Sequence, residues 1–200
     1  FDVKGQRFIA MGGVQRPANE VIDKALEWMG RDRSAPFFLW VHLYDPHAPY
    51  EAPEPYKSRY PGAPYLAEIA FTDNQVGRLI EALEMTGKKD STFIVVAADH
   101  GESLGEHGEI QHGFFIYESA THVPLIISTP FEEIAGVQTN EVVSLIDVMP
   151  TILDMTGFEI PEAVQGQSLT SLFLEGAASE TRFVYSETFY ARYHYGWSEL

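Results

Sequence analysis

Cysteine is absent from the 200-residue sequence. That excludes disulfide bonds and leaves the redox compartment unread, since neither oxidising nor reducing conditions would show. Basic residues are scarce, 13 against 29 acidic, for a formal charge of −16. A surface so acidic repels nucleic-acid phosphates and anionic lipid, so a polyanion-binding role is excluded unless the charge is strongly segregated. No apolar run approaches the roughly 20 residues that span a bilayer. Internal repeats and low-complexity tracts are also missing. The first residues, Phe1-Asp2-Val3-Lys4-Gly5, lack the charged, apolar and small-residue order of an export leader. Localisation is therefore unread, although export or membrane anchoring of a longer parent protein is compatible with everything here. What remains, 45% hydrophobic residues, suffices for one sizeable core and a single domain.

The densest chemistry lies between Ala97 and Gly113. Seven groups able to bind metal or move protons, Asp99, His100, Glu102, Glu106, His107, Glu109 and His112, follow the apolar run from Thr92 to Ala98. That run is rich in β-branched residues and suits a strand buried on both faces; in α/β folds ligands gather where such strands end. A carboxylate and an imidazole on consecutive turn residues can aim at one divalent cation, with Gly101 letting the backbone bend beside them. The same Asp-His-Gly triplet also suits a polar turn in which Asp caps backbone donors. Histidines at 100, 107, 112 and 122 exceed what a solvated turn needs. Glu102, Glu106 and Glu109 read as its solvated rim.

Elsewhere the periodicity predicts a helix from Pro17 to Gly30, with Val21, Ile22, Ala25, Leu26 and Met29 on one face. Phe37 to Leu43 reads as a buried strand. Ala48 to Pro64, with Pro53, Pro55 and Pro61 inside it, reads as a surface loop. Tyr65 to Met85 is an amphipathic helix carrying Ile69, Val76, Ile80 and Leu83, stopped by Gly87. Val123 to Ser128 is a second buried strand, Ser144 to Met155 a helix interrupted by Pro150, and Arg182 to Ser186 a last strand. Asp147 and Asp154 read as a helix cap and a surface charge. The alternation of strand and helix implies an α/β fold with a largely parallel sheet covered by helices.

Several segments carry a resemblance. They are the run from Phe37 to Tyr50, containing Tyr44-Asp45-Pro46-His47-Ala48-Pro49-Tyr50, the loop from Asp99 to Gly113, and Val123-Pro124-Leu125-Ile126-Ile127. Downstream come Asp147 to Gly157, Gln165-Gly166-Gln167-Ser168-Leu169 and Tyr185-Ser186-Glu187-Thr188. Their order and spacing resemble the second half of the catalytic domain of type I sulfatases, within the alkaline phosphatase superfamily. The resemblance implies hydrolysis of a sulfate ester, a small anionic substrate, at one divalent metal ion: calcium, magnesium, manganese or zinc. Asp99 and His100 resemble two ligands of that metal, with the imidazole tilting the choice towards manganese or zinc. His47 resembles the histidine that contacts the anion and protonates the leaving alcohol, in a loop restricted by Pro46 and Pro49. His112 stands where relatives place a lysine against the sulfate, and His122 where they often have arginine. His42, inside an apolar run, suits a core or strand-end histidine as well as a ligand. A two-metal arrangement, as in related phosphatases, would need further ligands such as His107 or His112.

The departure from the family pattern is the nucleophile. Sulfatases of this type use a residue derived from Cys or Ser in Cys/Ser-x-Pro-x-Arg. Ser34-Ala35-Pro36 and Ser128-Thr129-Pro130 match the first three positions, but Phe38 and Glu132 stand where Arg belongs. Residues 1–200 are accordingly expected to be a fragment, with the nucleophile-bearing half and a small C-terminal subdomain lying elsewhere, and to be inactive alone. Phosphonate or phosphate monoester hydrolase and phosphoethanolamine-type transferase are neighbouring alternatives, and a non-catalytic binding domain of the same descent is a third.

Overall fold

The computed structural model describes residues 16–31, 35–130, 136–174 and 182–197. The chain divides into two compact units, residues 1–89 and 90–200, rather than forming the single core expected. Each has its own small set of buried side chains.

In the first unit, helix α1 (Ala18–Met29) packs on helix α3 (Pro64–Met85), and the short helix α2 (Tyr56–Arg59) also lies against α3. Helix α1 buries Ala18, Ile22 and Ala25, a spacing that places one stripe on the core. Helix α3 starts on a proline whose missing N–H would have had no partner in the first turn anyway. Its buried stripe is Ala67, Glu68, Phe71, Gln75 and Leu83. Ile69, expected in the core, is 39% exposed. Thr86 follows α3, and Gly87 adopts φ 65°, the left-handed conformation that glycine tolerates after a helix end. Edge-on aromatic pairs, Trp28 with Phe37 and Tyr50 with Tyr65, tie the intervening segments to the helices. An ion pair between Arg78 and Asp23, 2.6 Å apart, links α3 to α1. Residues 37–44 alternate between partly covered and exposed positions as a strand would, but no ladder partner lies among the described residues. The segment is extended chain, with His42 on its exposed side.

In the second unit, strands β1 (Ile94–Ala97) and β2 (Leu125–Ser128) pair antiparallel, Ala97 opposite Leu125 and Ile94 opposite Ser128. The sheet of the described residues is therefore this antiparallel pair and not the parallel arrangement expected. Residues 98–124 leave and re-enter at the same end of the pair, which only antiparallel pairing permits without a crossover. Neither strand is covered on both sides: Val96 and Ile126 are exposed. Helix α4 (Glu118–Thr121) sits within this connection.

Helix α5 (Val148–Met155) follows a 3-10 turn at Leu145–Asp147. Pro150 does not interrupt it, because the helix begins only at Val148 and the proline falls in the first turn. Ser144 and Asp147 form a reciprocal capping box ahead of α5, so the cap reading holds for Asp147. Yet Asp147 is only 1% exposed. Its carboxylate accepts hydrogen bonds from the N–H groups of Ser144 and Gln167, each at 2.8 Å, and from Arg182 Nη2 at 2.7 Å. Gly166 allows this approach: a Cβ there would lie 2.0 Å from the Ile146 carbonyl oxygen. Thr151 donates to the Asp147 carbonyl and accepts from Leu169 N–H, closing the buried cluster with helix α6 (Thr170–Leu174) beyond it. Arg182 to Ser186 forms no strand; Arg182 is drawn to Asp147 instead. Asp154 is the surface charge expected, its carboxyl held low by hydrogen bonds from Ser168 and Thr170. Helix α7 (Tyr190–Tyr195) ends the described chain.

Candidate active site

In the first unit, the Asp45 to Glu51 loop is anchored to both long helices. Asp45 Oδ2 accepts from the backbone N–H of Ala18, 2.7 Å away, and so caps α1, whose own N-cap position is a proline. Glu68, on α3, accepts from the N–H groups of His47 at 3.0 Å and Glu51 at 2.6 Å, one on each carboxylate oxygen. Burial pushes both carboxyls up from their ordinary range. The Ala18 N–H pulls Asp45 back, and the Glu51 and His47 N–H groups pull Glu68 back.

His47 is held at both nitrogens. Nδ1 lies 2.7 Å from the Ala48 carbonyl oxygen, which can only accept, so Nδ1 carries a proton. Nε2 lies 3.2 Å from the Tyr44 hydroxyl, and the two rings are 4.3 Å apart. Nε2 is therefore the nitrogen that can give or take a proton.

In the second unit, the backbone of Asp99 and His100 is placed by Gly101. Its N–H donates to the Ala120 carbonyl at 2.8 Å, and a Cβ on it would sit 2.1 Å from the Ser119 carbonyl oxygen. Gly101 is needed for close approach to α4, not for the sharp bend expected of it, since its φ is not positive. Asp99 Oδ1 accepts from His100 N–H at 3.0 Å and its side chain is 73% exposed. His100 Nδ1 donates to the Gly101 carbonyl, 2.9 Å away, which leaves a lone pair on Nε2. Nε2 and Asp99 Oδ1 are 3.8 Å apart, close enough to share one ion at bond lengths of about 2.0–2.4 Å. Among the described residues no third His, Cys, Asp or Glu joins them. The donor set fits two ligands of a divalent metal.

His112 stacks on His100 with ring centroids 3.9 Å apart. Its Nδ1 donates to Glu102 Oε1 at 3.0 Å, and the Glu102 side chain is only 7% exposed. Glu109 Oε1 accepts from the N–H groups of Phe114 and Phe115, closing the turn that carries His112. Glu102 and Glu109 are thus supports and not the solvated rim expected. Glu106 does face solvent, its carboxyl held low by its own N–H and that of Leu104. His107 has φ 57° and stacks on Tyr117 at 4.0 Å, a structural role rather than a ligand's. His122 is largely exposed, 3.8 Å from Glu118. Of the two Ser-x-Pro segments, Ser34 and Glu132 lie outside the described residues.

Sequence reasoning singled out His47, Asp99, His100 and His112 but missed Glu68 and Tyr44, and misjudged Glu102. For Glu68 a signal existed: a carboxylate standing beside Ala67 and one turn before Phe71 in an amphipathic helix. Replacing Glu102 by alanine is expected to leave His112 unguided. With about 1.5–3 kcal/mol for a hydrogen bond to a charged group, the variant should lose stability of that order. Urea denaturation of Glu102→Ala and Glu102→Gln would read this, and unchanged midpoints would mean that the Glu102 bond to His112 contributes nothing.

The chain is 27% identical to an arylsulfatase of Clostridium perfringens over 215 residues, covering 86% of this chain and 44% of that protein. The solved yidJ sulfatase of Bacteroides fragilis superposes with a TM-score of 0.75 at 30% identity, covering 82% of this chain and 42% of that one. A phosphonate monoester hydrolase from Silicibacter pomeroyi is 43% identical over a shorter stretch, with a TM-score of 0.54 and coverage of 60% and 23%. This chain spans less than half the length of these proteins. The α/β class expected from the sequence is that of these structures. The family model described as Sulfatase matches residues 11–158, and the chain belongs to the sulfatase family.

Proposed function

We propose that this chain is the metal-ligand and leaving-group portion of a sulfuric ester hydrolase, with the nucleophile and further metal ligands contributed by residues outside the 200-residue sequence. The observation that carries the reading is shared by three histidines. In His47, His100 and His112 alike, Nδ1 is tied to a group that can only accept, which fixes the orientation of each ring. Asp99 and His100 would hold one divalent ion, of calcium, magnesium, manganese or zinc. Such an ion, when bound, would supply positive charge to stabilise the anionic ester.

The chain's own residues do the rest. His112, steered by Glu102, hydrogen-bonds a sulfate oxygen through Nε2. As the nucleophile contributed from outside these residues bonds to sulfur and the bond between sulfur and the leaving oxygen breaks, that oxygen takes a proton from His47 Nε2 and departs as the alcohol. The Nδ1 hydrogen bond to Ala48 holds the ring in place while Nε2 loses its proton.

The test is metal analysis and ester turnover on the full-length polypeptide. Wild type should hold metal and turn over an aryl sulfate, whereas Asp99→Ala and His100→Ala should lose both. Metal retained in both variants would return Asp-His-Gly to the role of a polar turn. The likeness to a phosphonate monoester hydrolase favours one second reading, and faster turnover of a phosphonate ester than of a sulfate ester would select it.

A further inference from the structure

We infer that Glu68 is a positioning residue for the proton donor: its buried carboxylate sets the backbone of the 47–51 segment and thereby the direction of the His47 imidazole. The inference rests on the reading of His47 as the group that protonates the leaving oxygen.

Glu68 is 4% exposed and lies on the core stripe of α3, where an apolar side chain would pack without desolvating a charge. What the carboxylate does there is specific. One oxygen takes the His47 N–H and the other the Glu51 N–H, so a single rigid group bridges both ends of a five-residue span. Pro49 leaves that stretch without one of its own donors, and Pro46 and Pro49 fix φ on either side of His47 and Ala48. The acceptor of His47 Nδ1 is the Ala48 carbonyl, inside the clasped span. Moving the span moves both the Cα that bears the imidazole and the carbonyl that orients it. Asp45 anchors the loop at its other side through α1.

Two variants separate positioning from packing. Glu68→Gln keeps volume and one acceptor oxygen but turns an N–H₂ donor towards the other N–H. Glu68→Met keeps length, removes both acceptors and suits the apolar surroundings, so it should fold. Each is measured in the full-length enzyme, with unfolding midpoint and metal content as controls, on an alkyl sulfate and on an activated aryl sulfate. The alkyl ester needs its leaving oxygen protonated, whereas the aryl ester departs readily as the anion.

A displacement near 1 Å at a catalytic group costs up to about 100-fold. The alkyl sulfate kcat should fall by that order in Glu68→Met and less in Glu68→Gln, with KM held and aryl sulfate turnover changed only a few-fold. Equal losses on both substrates, beside a His47→Ala enzyme that does discriminate between them, would make Glu68 a packing residue and overturn the inference. If His47→Ala fails to discriminate, the proton-donor reading falls, and the Glu68 inference with it.

Discussion

Full-length enzyme carrying His47→Ala should lose about 10²- to 10⁴-fold in kcat on an alkyl sulfate, the range that a positioned general acid contributes. The loss should shrink towards nothing as the leaving group becomes a better anion, because a nitrophenolate needs no proton to depart. Binding should change less than turnover. His47 Nε2 meets the leaving oxygen most strongly as charge develops there, so kcat and kcat/KM fall together on the alkyl ester. His47→Asn should not restore the rate: an amide near the Ala48 carbonyl and the Tyr44 hydroxyl keeps hydrogen-bond capacity without a transferable proton. A uniform loss across leaving groups would instead assign His47 to anion binding alone.

The second large effect is on stability. Asp147→Ala should cost about 3–5 kcal/mol, the range seen when one partner of a buried pair is removed. Three donors converge on this carboxylate, from Ser144, Gln167 and Arg182. Asp147→Asn should fall between, since its N–H₂ would face a donor where an oxygen accepted. Urea denaturation reads the difference. A double-mutant cycle with Arg182→Met isolates the ion pair from the two backbone bonds. A cost below about 1 kcal/mol, typical of an exposed pair, would contradict the burial described.

The elements legible in the sequence were those specified locally. Helices α1 and α3 announce themselves by periodicity, and β1 and β2 by short β-branched runs, each shifted by a residue or two. Residues 37–44 kept the alternation of a strand but not its ladder, because alternation is a property of one segment and pairing of two. The same holds for the direction of pairing between β1 and β2. Asp99, His100, His112 and His47 stood out as candidates because their neighbours in sequence are unusual. Glu68 and Glu102 were not, since an isolated glutamate carries no mark of the backbone or imidazole it will meet. Part of the chain's heavy acidity thus goes into clasping loops and steering histidines rather than into solvated charge.

Gly101 has a consequence for how such a site can vary. The Ser119 carbonyl occupies the space where a side chain at position 101 would begin, and the next carbonyl, of Ala120, grips the same residue's N–H. The ligand turn is keyed to α4 by a missing atom. Asp99 and His100 are thereby held in register with α4, whereas the exposed side chains of Ile110 and Phe115 take no part in that contact. Mutational tolerance should accordingly be high at Ile110 and Phe115 and collapse at position 101.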